Sequence, residues 1–138
     1  LAFSLHSPFP QERTSLMPIT KAYSIEKVFE GLDYHLKKTN HKVFISYILL
    51  KGLNDTPAHA QAVAEIIKQT TDRLVLCHVN LIRYNSGGSL STYDRPNRET
   101  VDRFMEVLKN NHIHHTLRQD FGLKIKAACG QLAADYQQ

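Results

Sequence analysis

Val43-Phe44-Ile45-Ser46-Tyr47-Ile48-Leu49-Leu50 is a nearly continuous apolar run interrupted by one small polar residue, and its reading decides the fold. It is too short for a membrane span and rich in β-branched and aromatic side chains. An antiparallel strand with one wet face would alternate, so the run predicts a strand covered on both faces, as in parallel sheets.

Working outward, each flank carries a helix. Upstream, Ser24 is a predicted N-cap, and Ile25, Val28, Phe29, Leu32 and Leu36 form one apolar stripe ending near Thr39-Asn40. His35 falls at the edge of that stripe, as a packed or half-exposed residue. Downstream, Gly52 and Asn54-Asp55 make a turn, and Thr56-Pro57 starts a helix that buries Ala60, Val63, Ala64 and Ile67. A further strand, Leu74 to Ile82, precedes a loop from Asn85 through Gly87-Gly88 to Pro96. Then comes a helix capped by Asn97, with Val101, Phe104, Met105 and Leu108 on its core face, and a strand from His112 to Leu117. Leu1 to His6 alternates and reads as the first strand, ended by Pro8 and Pro10 and followed by a loop to Pro18.

The order β-α-β-α-β-α-β with short connections predicts an α/β fold with parallel strands and right-handed crossovers. An open three-layer sheet and part of a barrel both satisfy it. In either, ligands gather beyond the C-terminal strand ends, which puts Ser4 to His6, Gly52 to Asp55, Asn80 to Asn85 and Arg118 on one rim.

The chain has 138 residues, 42% hydrophobic and 22% charged, which predicts one globular domain over 1–138: βα units to 118, then a cysteine-bearing loop and tail over 119–138. No apolar run reaches the roughly 20 residues of a membrane helix. The charge of +4 favours an anionic partner, nucleic acid first. The two cysteines, Cys77 and Cys129, have neither a disulfide framework nor metal-site spacing and suggest a reducing, cytoplasmic setting. Cys77 and His78 are adjacent on a strand, point to opposite faces and cannot readily share an ion, so Cys77 is read as structural. Cys129, followed by Gly130 and outside any periodic pattern, is read as an exposed thiol. The chain opens on Leu1 without a leader, which suggests a piece of a longer protein.

Several phrases, taken together, resemble a known family: Ser4-Leu5-His6-Ser7-Pro8, Leu16-Met17-Pro18-Ile19, Gly52-Leu53-Asn54-Asp55, His78-Val79-Asn80-Leu81-Ile82-Arg83-Tyr84-Asn85 and Ala127-Ala128-Cys129-Gly130-Gln131-Leu132. Their order and spacing resemble the C-terminal half of the radical S-adenosylmethionine methyltransferases that act on an adenosine of 23S rRNA. The family has two branches: RlmN, methylating C2, and the Cfr-type resistance enzymes, methylating C8. Ser7, Arg83 and Gln119-x-Phe121-Gly122 look nearer to Cfr. The resemblance implies the C-terminal half of a partial (βα)6 barrel. It implies that Ser4, Leu5, His6 and Asn85 contact S-adenosylmethionine and that Cys129 carries the methyl group as S-methylcysteine. It also implies a [4Fe–4S] cluster, fed by a reducing system, whose cysteines this chain lacks. Candidate RNA contacts are Arg83, Arg118, Lys124 and Lys126, the last two standing where the family often shows acidic residues. Ser46 stands where RlmN sequences often show glutamate. A non-catalytic RNA-binding module using Arg83, Arg95, Arg98, Lys124 and Lys126 is the alternative, as is a paralogue with another substrate.

Overall fold

The computed structural model describes residues 1–17, 21–85 and 93–118. Strand β1 (Ala2–Ser4) is followed by helices α1 (Pro10–Leu16) and α2 (Ile25–Thr39), strand β2 (Val43–Leu49), helix α3 (Pro57–Thr70), strand β3 (Cys77–Arg83), helix α4 (Arg98–Asn110) and strand β4 (His114–Leu117). The strands form one sheet in the order β1-β2-β3-β4, every pair parallel.

That order explains the layering. A right-handed crossover places its helix on a fixed side of the sheet, and a chain that always steps in the same direction puts every helix on the same side. The core bears this out. Leu5, Val43, Ile45, Tyr47, Leu49, Cys77, Val79 and Leu81 meet Ile25, Phe29, Leu32 and Leu36 of α2, Ala60, Val63, Ala64 and Ile67 of α3, and Val101, Phe104 and Leu108 of α4. Each large side chain so buried contributes about 1.5–3 kcal/mol of transfer free energy.

The apolar run is therefore covered on one face only by the described residues. Phe44, Ser46 and Ile48, on the other face, are exposed or half-buried, and Phe44 is 37% exposed. Among the described residues the strand has cover on one face, where the sequence reading expected cover on two. The one-sided winding is that of a barrel wall, whose inner face carries Phe44, Ser46 and Ile48.

The predicted caps are in place. Oxygen side chains of Ser24, Thr56 and Asn97 accept from the backbone N–H of Lys27, His59 and Thr100, at 3.3, 3.2 and 2.8 Å. Helix α2 stops at Asn40, which takes the left-handed conformation at φ 54°.

Three elements differ from the sequence reading. The first strand is shorter, because His6 turns out of it at φ 58°. Leu74–Leu76 form a 3-10 turn, with Val75 exposed, rather than the start of β3. Helix α1 replaces a loop. It opens on Pro10, and its side chains are mostly polar; what holds it is Arg13, a buried arginine, and Glu12. Glu12 Oε2 accepts from the Ser7 hydroxyl and from His59 Nε2, both at 2.8 Å, which ties α1 to α3.

Candidate functional site

The C-terminal ends of β1 and β2 are locked together by Asn54, which the structure buries completely. Its Nδ2 donates to the carbonyls of His6 and Ile48, each at 2.7 Å, and its Oδ1 accepts from Leu50 N–H at 2.8 Å. All of the amide is used. The Tyr47 hydroxyl, deep in the core against Phe104, donates to the Asn54 carbonyl at 2.7 Å. Burial pushes that phenol up, so it stays a donor. The turn itself closes through Gly52, at φ 73°, whose N–H donates to Asp55 Oδ1 at 3.1 Å.

Arg13 completes the clamp. Its Nε donates to the Leu5 carbonyl at 3.1 Å and an Nη to the Ser4 carbonyl at 3.0 Å. The carbonyls of Ser4, Leu5 and His6 are thus all held from behind, by residues of α1 and of the loop after β2. Leu5 also places its side chain in the core and donates its N–H to Ser46 at 2.9 Å. What the segment leaves for a ligand is the Ser4 hydroxyl and the His6 ring.

The His6 ring has a fixed tautomer. Nδ1 accepts from Ile48 N–H at 3.0 Å, so the proton of the neutral ring sits on Nε2. Burial, and then the nearby Arg13 guanidinium, hold His6 down at about 4 against an ordinary 6.5. His6 is therefore a neutral donor at physiological pH. The linkage follows from the direction: between pH 6.5 and about 4 the unfolded chain takes up a proton that the folded chain refuses, so stability is full above 6.5 and is lost as pH falls. Urea unfolding of the protein and of His6→Asn, whose amide oxygen can replace Nδ1, should diverge over that window. The wild-type midpoint is expected to fall more steeply with acid; parallel curves would disprove the assignment.

Asn85 lies just beyond β3 on the same rim, two strands from His6, or about 10 Å at the usual inter-strand spacing. Its Oδ1 accepts from Arg95, and the stretch carrying Arg95 is drawn over the rim by Lys51 N–H donating to the Asp94 carbonyl at 3.0 Å. Tyr84 packs edge-on against Tyr93 at 6.0 Å between ring centres. The other cationic candidates separate. Arg83 falls on the helix-covered face and donates from Nε to the Pro96 carbonyl at 2.8 Å, whereas Arg118 follows Thr116 onto the inner face. Arg98 pairs with Asp102 at 3.0 Å on α4.

The inner face carries a polar row that the sequence reading did not assemble. Ser4, Ser46, Asn80 and Thr116 are register partners across all four strands. A cleft of about 350 Å³ opens here, lined by Ser46, Asn80, Ile82, Thr116 and Arg118. Period-2 alternation along each strand could have shown the row, had the register been known.

Cys77 is buried at 4% exposure, and burial pushes its thiol up, as a packed and inert cysteine requires. Cys129, Lys124, Lys126, the Gly87-Gly88 pair and the residues from 119 onward lie outside the described residues. Among the described residues no group of three or more metal-ligating side chains comes together, and no helix is long and apolar enough to cross a membrane. The whole chain holds two cysteines, short of the three thiolates that a cluster of the implied type takes, so these residues do not fit an iron–sulfur centre.

No protein-family model matches the chain. It is 47% identical over 138 residues to the "Ribosomal RNA large subunit methyltransferase Cfr" of Staphylococcus aureus, covering 99% of this chain and 40% of that protein. It is 41% identical over 137 residues to the "Probable dual-specificity RNA methyltransferase RlmN" of Clostridioides difficile, covering 99% of this chain and 38% of that protein. The chain thus spans about 40% of the length of the curated relatives it matches. A radical SAM methyltransferase from Sphaerobacter thermophilus superposes with a TM-score of 0.86 at 36% identity, over 95% of this chain and 37% of that one. A domain of a pyruvate-formate lyase-activating enzyme from Bacteroides vulgatus shares the fold alone, with a TM-score of 0.65 at 15% identity over 86% of this chain and 66% of that one. Over essentially its whole length the chain is similar to a segment of the Cfr and RlmN RNA methyltransferases and to a segment of a radical SAM methyltransferase.

Proposed function

We propose that this chain is part of a radical S-adenosylmethionine enzyme that methylates an adenosine of 23S rRNA. The observation that carries the reading is the 47% identity with Cfr along 99% of the chain. An aromatic adenine carbon is a poor nucleophile, so methylating it needs a radical, and S-adenosylmethionine with a reduced [4Fe–4S] cluster supplies one when bound. The cluster's cysteines belong to another segment of the parent protein.

The work of this chain is positioning. Ser4 and His6 are presented toward S-adenosylmethionine on a strand end held rigid by Arg13 and Asn54, and Asn85 approaches from β3. The neutral His6 offers an N–H and no positive charge, which suits a cationic sulfonium neighbour. Cys129 takes the methyl group onto sulfur as a thioether before its transfer to RNA. Positive charge from Lys124, Lys126 and Arg118 favours its thiolate. The Cfr branch is the nearer one, so C8 of the adenine is the proposed position. A reducing system, a cytoplasmic setting and the RNA contacts of Arg83, Arg118, Lys124 and Lys126 complete the proposal.

The test uses the full-length protein with a reconstituted cluster, a reductant, S-adenosylmethionine and a 23S rRNA transcript. Mass spectrometry of the digested RNA is expected to find methyladenosine, with the methyl on C8. Product on C2 would move the protein to the RlmN branch. RNA binding without any methylation would leave a non-catalytic module.

A further inference from the structure

On the inner face, Thr116 sits between two partners. Its hydroxyl donates to Asn80 Oδ1 at 3.0 Å, and His78 Nε2 lies 3.0 Å from the Thr116 Oγ1. A hydroxyl has one proton, and here it is given to Asn80, so His78 must be the donor to Thr116. The His78 ring is steadied in turn by Phe44, 5.7 Å away between ring centres. The chain His78 to Thr116 to Asn80 consumes the oxygen of the Asn80 amide and leaves its Nδ2 without a partner among the described residues. The amide has its donor end turned to the cleft.

The rest of the cleft has matching chemistry. The Ser46 hydroxyl and the Arg118 guanidinium have no partner among the described residues, Ile82 supplies an apolar wall, and no carboxylate lines the space. Donors, one cation and a flat apolar surface fit a ligand that has acceptors, negative charge and a ring. A nucleotide unit has all three: ring nitrogens and exocyclic oxygens, a phosphate, and a face to lay on Ile82. S-adenosylmethionine shares the ring but carries a sulfonium and an ammonium beside its one carboxylate, so it has no net negative charge to set against the guanidinium. The charge therefore favours RNA.

Resting on the reading given under Proposed function, we infer that Asn80 is a specificity-determining donor for a nucleotide of the bound RNA, oriented by the Thr116–His78 relay, with Arg118 on that nucleotide's phosphate. Thr116 and His78 are positioning residues, since they act through Asn80. The orientation matters because an amide free to flip presents an acceptor as readily as a donor.

Full-length protein decides the matter by two affinities measured separately at one fixed salt concentration: for a 23S rRNA transcript, and for S-adenosylmethionine. Asn80→Asp replaces the donor by acceptors and is expected to raise the RNA Kd about tenfold or more. Thr116→Val removes the orienting hydroxyl while leaving Asn80, and is expected to raise it about fivefold, the effect of one hydrogen bond. Thr116→Ser restores the hydroxyl and is expected to fall within about twofold of wild type, which a role in packing the methyl group would not allow. The S-adenosylmethionine Kd is expected to stay within about twofold throughout. Thr116 is exposed on an edge strand, so its valine variant should fold; if it does not, Asn80→Asp and Thr116→Ser still decide. RNA binding unchanged in Asn80→Asp overturns the inference, as does a parallel loss of S-adenosylmethionine binding, which would assign the cleft to that ligand. A wild-type protein that binds no rRNA removes the functional reading itself, and this inference with it.

Discussion

Asn54→Ala is expected to destabilise the protein by about 3–5 kcal/mol, among the largest effects of any single change at the rim. The side chain is fully buried and satisfies three backbone groups: the His6 and Ile48 carbonyls and the Leu50 N–H. Truncation strands all three, and an unsatisfied buried group costs about 1–3 kcal/mol, less whatever water can recover by entering. Equilibrium urea unfolding measures the loss. Asn54→Asp serves as the control, because it keeps an oxygen for Leu50 but sets a carboxylate against two carbonyls; it should be no better than alanine. A loss below about 1 kcal/mol in both would mean that the strand ends are held by something else. Because the same amide fixes the His6 carbonyl, the residual folded protein should also bind S-adenosylmethionine more weakly.

This clamp marks where the sequence could be read and where it could not. The helices were legible because apolar spacing, caps and Pro at the first turn all agree, as at Ser24, Thr56-Pro57 and Asn97. Gly52 to Asp55 could be seen as a turn, yet nothing local says that Asn54 spends its amide on the segment just after β1, where His6 is 48 residues away. Helix α1 was missed for a related reason. Pro10-Gln11-Glu12-Arg13-Thr14-Ser15-Leu16 has no apolar stripe, since the side chain it buries is a guanidinium paired with carbonyls. Periodicity finds helices that bury hydrocarbon, and this one does not.

The misreading of β2 has the same kind of cause. Phe44 and Ile48 look like core residues in one dimension, so the run read as buried on both sides. In the sheet they share a face with Ser46, beside Asn80 and His78. A barrel wall allows this: its inner face can mix apolar and polar side chains, since it is not packed against a helix layer. The polar row from Ser4 to Thr116 was invisible because it joins four strands through register, and register is a tertiary fact. The family phrases, by contrast, were legible since each is a short contiguous run, and Ser4 to Pro8, Gly52 to Asp55 and His78 to Asn85 lie on or within a few residues of a strand end.

In the full-length protein Cys129→Ala is expected to abolish rRNA methylation, a loss of at least about a thousandfold in kcat, while Cys77→Ala stays within about threefold at a temperature where both variants are folded. The contrast is the point, because a methyl carrier needs access and a thiolate. Cys77 is at 4% exposure in the core and its thiol is pushed up by burial, so it has neither the access nor the thiolate needed to carry a methyl group. Cys129 stands in a segment with Lys124 and Lys126 close by in sequence, where positive charge favours the nucleophilic form. On the proposed role, alanine there removes the sulfur that would hold the methyl between its donor and the adenine. Peptide mass spectrometry of the protein after exposure to S-adenosylmethionine should find a 129 peptide heavier by one methyl group and an unmodified 77 peptide. Methylation of rRNA by Cys129→Ala at more than about a tenth of the wild-type rate would end the covalent-carrier role. Binding of the transcript should survive the substitution nearly intact, since the polar row and Arg118 are untouched, so the loss belongs to the transfer step rather than to recognition.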